Sequence, residues 1–356
     1  MAQLPVSRIF GCLPNGEAVE AWTLYGAGGI TVEAITYGAT ITRLLAPDRD
    51  GNLADVVLGF EGLNPYLTHR AYFGATVGRV AGRIPHARFC LDGANHDLAR
   101  NAPPNHLHGG NEGLDKKLWT VSEANSVANA PSLRMEYFSP DGENGYPGNA
   151  QITVTYTVTQ DNALVVETDA ISDRPTPLSL THHSYFNLAG EASGTVAGHT
   201  LQIFADEFVP ADDDLTFLGR LESVVGRGND LREPHFLKDV IPQLFQNHGD
   251  LYALRGRQRC TSNSDLAPAA RLVHAESGRI LNVFTTEMYL QLYTGAALDG
   301  SLIGKSGVPY ARYAGLCLEC EGYPDGANIP EIGDIVLRPG MRRRQTTAYA
   351  FSSQAH

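Results

Sequence analysis

Positive charge is scarce in this chain. Its 356 residues include 27 lysines and arginines against 39 aspartates and glutamates, a formal net charge of −12. Binding to phosphate backbones needs a basic surface, so the balance argues against nucleic acid as a partner and, more weakly, against an anionic membrane surface. A neutral small molecule remains compatible with it. Long apolar runs are missing too, and none approaches the roughly 18–20 residues of a membrane-spanning helix. The opening MAQLPVSRIF has no charged segment followed by an apolar one, so no signal peptide is expected. Cysteine is sparse and odd in number, at Cys12, Cys90, Cys260, Cys317 and Cys320. Cys317 and Cys320 form a single CxxC inside an apolar run, without the second pair that a zinc site needs. Buried free thiols in a reducing cytoplasm are the expectation. No GxGxxG follows a strand, and strands do not alternate with helices, which argues against a dinucleotide-binding fold.

What the chain has is strand signal. Residues 29–46 (GITVEAITYGATITRLLA) are rich in Thr, Ile and Val with glycine punctuation. Residues 151–171 read as a hairpin turning at Gln160–Asn162, residues 279–295 as another strand pair, and TTAYAFS as a closing strand. Helices are expected only as short peripheral pieces near 61–68 and 238–246. Short strands broken by Gly, Asn, Asp and Pro turns predict an all-β fold, a large antiparallel sandwich or barrel. Hydrophobic residues make up 43%, enough to build a core. With no repeat, low-complexity tract or linker, a single domain over 1–356 is expected.

Within this pattern THHSYFNLAG (181–190) places two histidines side by side. Successive strand side chains point to opposite faces. Leu178, Leu180, His182, Ser184, Phe186 and Leu188 form a mainly apolar row that should face the core. Ser179, Thr181, His183, Tyr185 and Asn187 form a polar row that should line a wet cleft. His183 therefore points at the chemistry, and His182 reads as a hydrogen-bonded structural residue.

Three further stretches carry candidate chemistry. In NHLHGG (105–110), His106 and His108 share a face if the segment is extended, and Gly109 and Gly110 permit a sharp turn after it. His-x-His also suits a metal, so metal ligation, a substrate hydrogen bond and a structural role all stay open. GLCLECEGYPD (315–325) sets Cys317, Glu319 and Glu321 on one strand face. Two carboxylates at i and i+2, about 7 Å apart, raise one another's pKa, as burial does. That is what a general base working near neutral pH requires, and alternation does not choose between the two. GRVAGRIPHARF (78–89) carries Arg79 and Arg83 among small residues, a setting for a guanidinium that clamps a hydroxyl or carboxylate.

In order along the chain, GRVAGRI (78–84), NHLHGG (105–110), DGENGYPGN (141–149), THHSYFNLAG (181–190), HGDLYAL (248–254), TTEMYLQLYTG (285–295), LECEGYPD (318–325) and VLRPG (336–340) resemble the galactose mutarotase, or aldose 1-epimerase, family. The likeness spans about residues 20–352. It implies an antiparallel supersandwich with an open sugar cleft, no cofactor and no metal. It implies an isomerase that opens and recloses the hemiacetal of a free sugar, with Glu319 as general base and His183 as general acid. His108, Arg83, Asp250 and Gln291 would bind the sugar. The chain departs from the family at His182 and Gly82, where many members have Asn, and at Glu321, where many have Gln. These departures bear on sugar preference, so a pentose, a deoxy sugar or a ketose stays open beside galactose. A non-catalytic sugar-binding protein of the same fold also stays open, as does a monomer or a homodimer.

Overall fold

A computed structural model describes residues 3–256 and 266–354. Strands dominate, and every sheet pairing between named strands is antiparallel. Three sheets carry the architecture. A five-stranded meander occupies the N-terminal region, running in order from Val6–Cys12 to Leu53–Asp55. A nine-stranded sheet is built around Ala150–Val158, Ala163–Ser172 and the long closing strand Arg343–Ser353. A six-stranded sheet has the order Tyr185–Phe186, Leu316–Glu321, Tyr289–Tyr293, Leu251–Leu254, Ala205–Val209 and Glu222–Ser223.

Alternating side chains explain the layering. In Ala163–Ser172 every second residue is buried. Ile41 and Leu44 of the N-terminal sheet, Val154 and Leu281 of the nine-stranded sheet, and Leu290, Leu292, Leu316 and Leu318 of the six-stranded sheet share one core. Each such side chain contributes about 1.5–3 kcal/mol on leaving water. The helices are short: Leu63–Thr68, Leu237–Val240 and Pro330–Gly333. No helix among the described residues is long and apolar enough to cross a membrane.

The hairpin expected at 151–171 forms with its turn at the expected place. The pair expected at 279–295 does not. Arg279–Thr285 lies in the nine-stranded sheet and Tyr289–Tyr293 in the six-stranded one. Residues 286–288 carry the chain across: Thr286 N–H donates to Thr346 O on one side, and Met288 O accepts from Leu254 N–H on the other. Both segments keep the period of two, so sequence alone reads them as partners.

The run 176–188 also differs from one continuous strand. It makes three brief pairings, with Leu337 and Val336 at residues 176–177, with Val77 and Thr76 at 181–182, and with Cys317 and Leu316 at 185–186. Its polar row is not wet. Ser179 Oγ accepts from Gly322 N–H, Thr181 Oγ1 donates to Cys320 O, and Asn187 donates to Gly194 O and Ala314 O. These side chains satisfy neighbouring backbone that irregular pairing would leave unbonded.

Cys317 and Cys320 are buried and free, as expected, whereas Cys12 and Cys90 are exposed. Cys12 ends an edge strand, and Cys90 sits on the outward positions of Arg88–Leu91. Cys260 lies outside the described residues.

Candidate active site

One face of the six-stranded sheet forms the floor of the site. Leu316–Glu321 alternates Leu316, Leu318 and Cys320 into the core and Cys317, Glu319 and Glu321 to the other side. Strand register extends this second face sideways. Cys317 stands beside Tyr185 and Tyr293, Glu319 beside Gln291, and Glu321 beside Tyr289. Gln291 in turn stands beside Leu251.

His183 reaches Glu319 from a different part of the chain. Its backbone is clipped to residues 74–75, donating to Ala75 O at 2.9 Å and accepting from Gly74 N–H at 3.0 Å. Its Nε2 lies 3.5 Å from Glu319 Oε2, and both side chains are buried. That carboxylate oxygen has no hydrogen-bond partner among the described residues. Tyr185 stacks on the His183 ring at 5.2 Å, Tyr72 tilts against it at 5.6 Å, and His108 meets it edge-on at 5.2 Å. Cys317 Sγ approaches Nδ1 at 3.5 Å.

His108 enters by a tight turn rather than an extended strand. Its φ is +50°, and Gly109 follows at +85°. A Cβ at Gly109 would lie 1.7 Å from Gly78 O, so only glycine allows this approach. Gly82 N–H donates to His108 Nδ1 at 3.2 Å. Neutral His108 therefore carries its proton on Nε2, where it serves as a donor to an oxygen ligand. His106 does not share this face. It is buried with Nδ1 on Ala99 O at 2.7 Å and Nε2 on Tyr146 Oη at 2.8 Å, a structural role. Ligating atoms of His108, His183 and Glu319 lie within 4.8 Å of one another. The metal alternative read from the His-x-His spacing loses His106, one of its two spaced histidines.

The two arginines part in the same way. Arg79 is buried and makes five hydrogen bonds, to Ser139 Oγ and O, Pro140 O, Pro147 O and Thr176 Oγ1. Arg83 is half-buried, and its positive charge acts on both Glu319 and Glu321. Residues 83–84 pair with residues 106–107, which brings Arg83 and His108 to one wall.

Burial sets the proton balance. It pushes Glu319 up to about 8, with Arg83 pulling back. Burial pushes His183 down to about 4, against a smaller upward pull from its own backbone carbonyl. His108 is driven well down by burial and by the charges of His183 and Arg83. Glu321 rises far above the usual carboxylate range, through burial and the neighbouring Glu319 and Glu287. Neither of its oxygens has a hydrogen-bond partner among the described residues.

Two of the family departures meet here. A Cβ at Gly82 would lie 3.1 Å from Glu321 Oε1 and 2.4 Å from Pro324 Cγ, at a φ of +75°. An asparagine at 82 therefore has no room beside this Pro324. His182 faces the core between Tyr156 and Tyr349, with Nε2 on Ser184 Oγ at 2.6 Å.

Gln291 is buried beside Glu319, and its Nε2 donates to Leu292 O at 2.5 Å. Asp250 stands apart from this cluster. It immediately precedes Leu251, the cross-strand neighbour of Gln291. It lines a cleft of about 420 Å³ with Phe208, Arg227, Asn229, Gln243 and Phe245. Asn229 Nδ2 donates to its carboxylate at 3.2 Å, and burial pushes it up to about 6.

Sequence reasoning missed Tyr72 and His248, and it placed Cys317 on the face of Glu319 without giving it a role. His248 packs on Tyr293 at 4.6 Å, and the charges of Arg83 and His183 act on it. It begins HGDLYAL, two residues before Asp250, so its motif is legible in the sequence. Cys317 shares the parity of Glu319, a signal available from alternation alone. Tyr72 has no signal in the sequence; its left-handed backbone (φ +57°) turns it into the site.

A family model described as aldose 1-epimerase matches residues 20–350. The chain is 43% identical to the galactose mutarotase of Rattus norvegicus over 97% of each chain. It is 34% identical to the aldose 1-epimerase of Escherichia coli K12, over 96% of this chain and 97% of that one. Among solved structures, an aldose epimerase homologue from C. elegans superposes with a TM-score of 0.85 at 32% identity, covering 94% of this chain and 99% of the other. Galactose 1-epimerase from Lactobacillus acidophilus also gives 0.85, at 26% identity, over 99% and 100% of the two chains.

Proposed function

We propose, for a chain that belongs to the aldose 1-epimerase family, that Glu319 is the general base and His183 the general acid of its site. The enzyme is a mutarotase, an isomerase interconverting the α and β anomers of a free sugar. The relatives' name makes galactose the sugar we assign to it.

One observation supports the catalytic pair above all: a carboxylate and an imidazole from distant segments, both buried, approach to 3.5 Å. The hydroxyl and the ring oxygen of a hemiacetal sit on one carbon, so two neighbouring groups can serve both. Glu319 takes the proton from the anomeric hydroxyl while His183 Nε2 gives one to the ring oxygen. The C–O bond breaks, the aldehyde turns about its bond to the next carbon, and the ring closes on the other face with the roles reversed. Each group must act in both directions. With Glu319 pushed up and His183 pushed down, the pair holds one proton between them across a wide span near neutrality. Placing that proton on one partner or the other is all the chemistry asks.

Arg83 and the Nε2–H of His108 are the donors we assign to sugar hydroxyls, with Gln291 beside the base, and Asp250 is assigned to the sugar from the adjoining cleft, next in the chain to the cross-strand neighbour of Gln291. Exposed free thiols at Cys12 and Cys90 fit a reducing compartment, and we take the cytoplasm as the setting.

The test is polarimetry of freshly dissolved single-anomer galactose, glucose, a pentose and a ketose, with Glu319→Gln as control and one arm dialysed against chelator. The proposal expects fastest equilibration with galactose, no effect of chelator and loss in the variant. Sugar binding without accelerated anomerisation would favour the non-catalytic reading.

A further inference from the structure

We propose that His248 is a specificity residue that touches the sugar: its imidazole accepts the proton of one hydroxyl away from the anomeric carbon, in concert with Arg83. The inference deepens the proposed reaction and rests on the sugar lying against Glu319 and His183.

The chain delivers His248 to the site in a fixed way. Its N–H donates to Phe245 O at 2.9 Å, and its carbonyl accepts from Thr294 N–H at 2.9 Å. Gly249 follows with a φ of +122°, where a Cβ would lie 2.0 Å from Leu292 O. Only glycine lets the segment press so closely on the end of Tyr289–Tyr293. The ring is thereby laid on Tyr293, with 4.6 Å between centroids and 42° between planes. Tyr293 lies two residues from Gln291 on the same strand face and stands beside Cys317 in register. His248 therefore sits on the site face of the sheet. Ring contacts run from it through Tyr293 to Tyr185, at 5.8 Å, and on to His183, at 5.2 Å. The charges of Arg83 and His183 act on its ring, and its own charge acts on His108.

The acid/base steps have no use for this histidine. It is half-buried where His108 and His183 are buried, which puts it at the rim rather than the floor. Burial and the Arg83 guanidinium hold it neutral, and the backbone of Gly249 draws its ring proton. A neutral imidazole has one N–H and one bare nitrogen, so the bare nitrogen is left as an acceptor. Arg83 and the Nε2–H of His108 only donate. A sugar hydroxyl must also place its own proton, and leaving it unmet in a buried site costs about 1–3 kcal/mol. His248 supplies the acceptor beside Arg83, and the two read a hydroxyl as a donor–acceptor pair. Glu319 already meets the anomeric hydroxyl and His183 the ring oxygen, so the hydroxyl read here lies elsewhere on the ring. A sugar with hydrogen in that place leaves both partners unmet and is discriminated against for that reason.

The experiment compares the native chain with His248→Phe, which keeps a ring on Tyr293 and has no acceptor. The probes are galactose and its 2-, 3-, 4- and 6-deoxy derivatives, with Kd from titration calorimetry and kcat and KM from polarimetry. The proposal expects Kd and KM for galactose to rise about 3- to 10-fold with kcat unchanged, because the bond is made equally in the ground and transition states. One of the deoxy sugars should bind the variant and the native chain equally, and that sugar identifies the hydroxyl. An unchanged Kd for galactose overturns the assignment. So does a rise that persists with every deoxy sugar, or a loss confined to kcat. His248→Ala should show the same single exception on top of a packing loss common to all the sugars; its absence overturns the assignment even where His248→Phe does not fold. A native chain that binds galactose without equilibrating it fails the reaction proposed above, while the Kd comparison still decides the role of His248.

Discussion

Replacing Glu319 by glutamine tests the account from two sides, because the same burial that tunes the base also strains the fold. Gln keeps the size and loses the charge. If Glu319 takes the anomeric proton, the loss is that of a general base, about 10²–10⁴-fold in kcat, or about 3–5 kcal/mol of barrier. The stability effect has the opposite sign. Burial raises the carboxyl from 4.5 to about 8, so the folded chain keeps a proton that the unfolded chain gives up between those values. Stability therefore falls as pH rises through that window. At 1.36 kcal/mol per unit, the carboxyl costs the fold up to about 5 kcal/mol above pH 8 and little below pH 4.5. Glu319→Gln should thus be nearly inactive by polarimetry at every pH. Its Tm, followed by circular dichroism, should exceed that of the native protein by a margin that grows from pH 5 to pH 9. A margin that stays flat would mean that Glu319 is not desolvated. Native-like mutarotation by a folded variant would remove Glu319 from the mechanism.

His183→Asn should lower kcat at least about a hundredfold while the protein melts normally, since the acid is lost and no core side chain is removed; native-like turnover would exclude His183. The pH profile of kcat/KM should show an acid limb near 4, where a second proton enters the pair, and an alkaline limb near 8, where its only proton leaves. A flat profile through pH 9 would argue against a Glu319 pushed upward. Arg79→Ala should destabilise the chain by more than about 3 kcal/mol in denaturant titrations, because buried carbonyls at residues 139, 140 and 147 lose their donor. Arg83→Ala should fold normally and raise KM instead, and the reverse outcome for the two arginines would contradict their assignment.

The period of two carried far in this protein. It placed Glu319, Glu321 and Cys317 on one face of Leu316–Glu321 and Leu316, Leu318 and Cys320 on the other, as the core confirms. It failed where the chain changes sheets. Residues 279–295 alternate throughout, yet the three residues 286–288 send the halves into different sheets. The polar row at 179–187 suggests the lining of a wet cleft, but apart from His183 and Tyr185 its members bond neighbouring backbone in and around the strand Leu316–Glu321. A polar side chain in a strand looks the same in sequence whether it awaits water, a ligand or an orphaned amide.

Local covalent geometry is written into every residue, and so the sequence by itself determined the strands, their inward and outward faces, the family and the segments that carry reactive side chains. Only the tertiary structure decided between residues of one type. Arg83 went to the site and Arg79 into a web of carbonyls; His108 went to the site and His106 to Ala99 and Tyr146. The reason is that a side chain's role depends on which buried donors and acceptors already have partners, and those partners come from parts of the chain that only folding brings near.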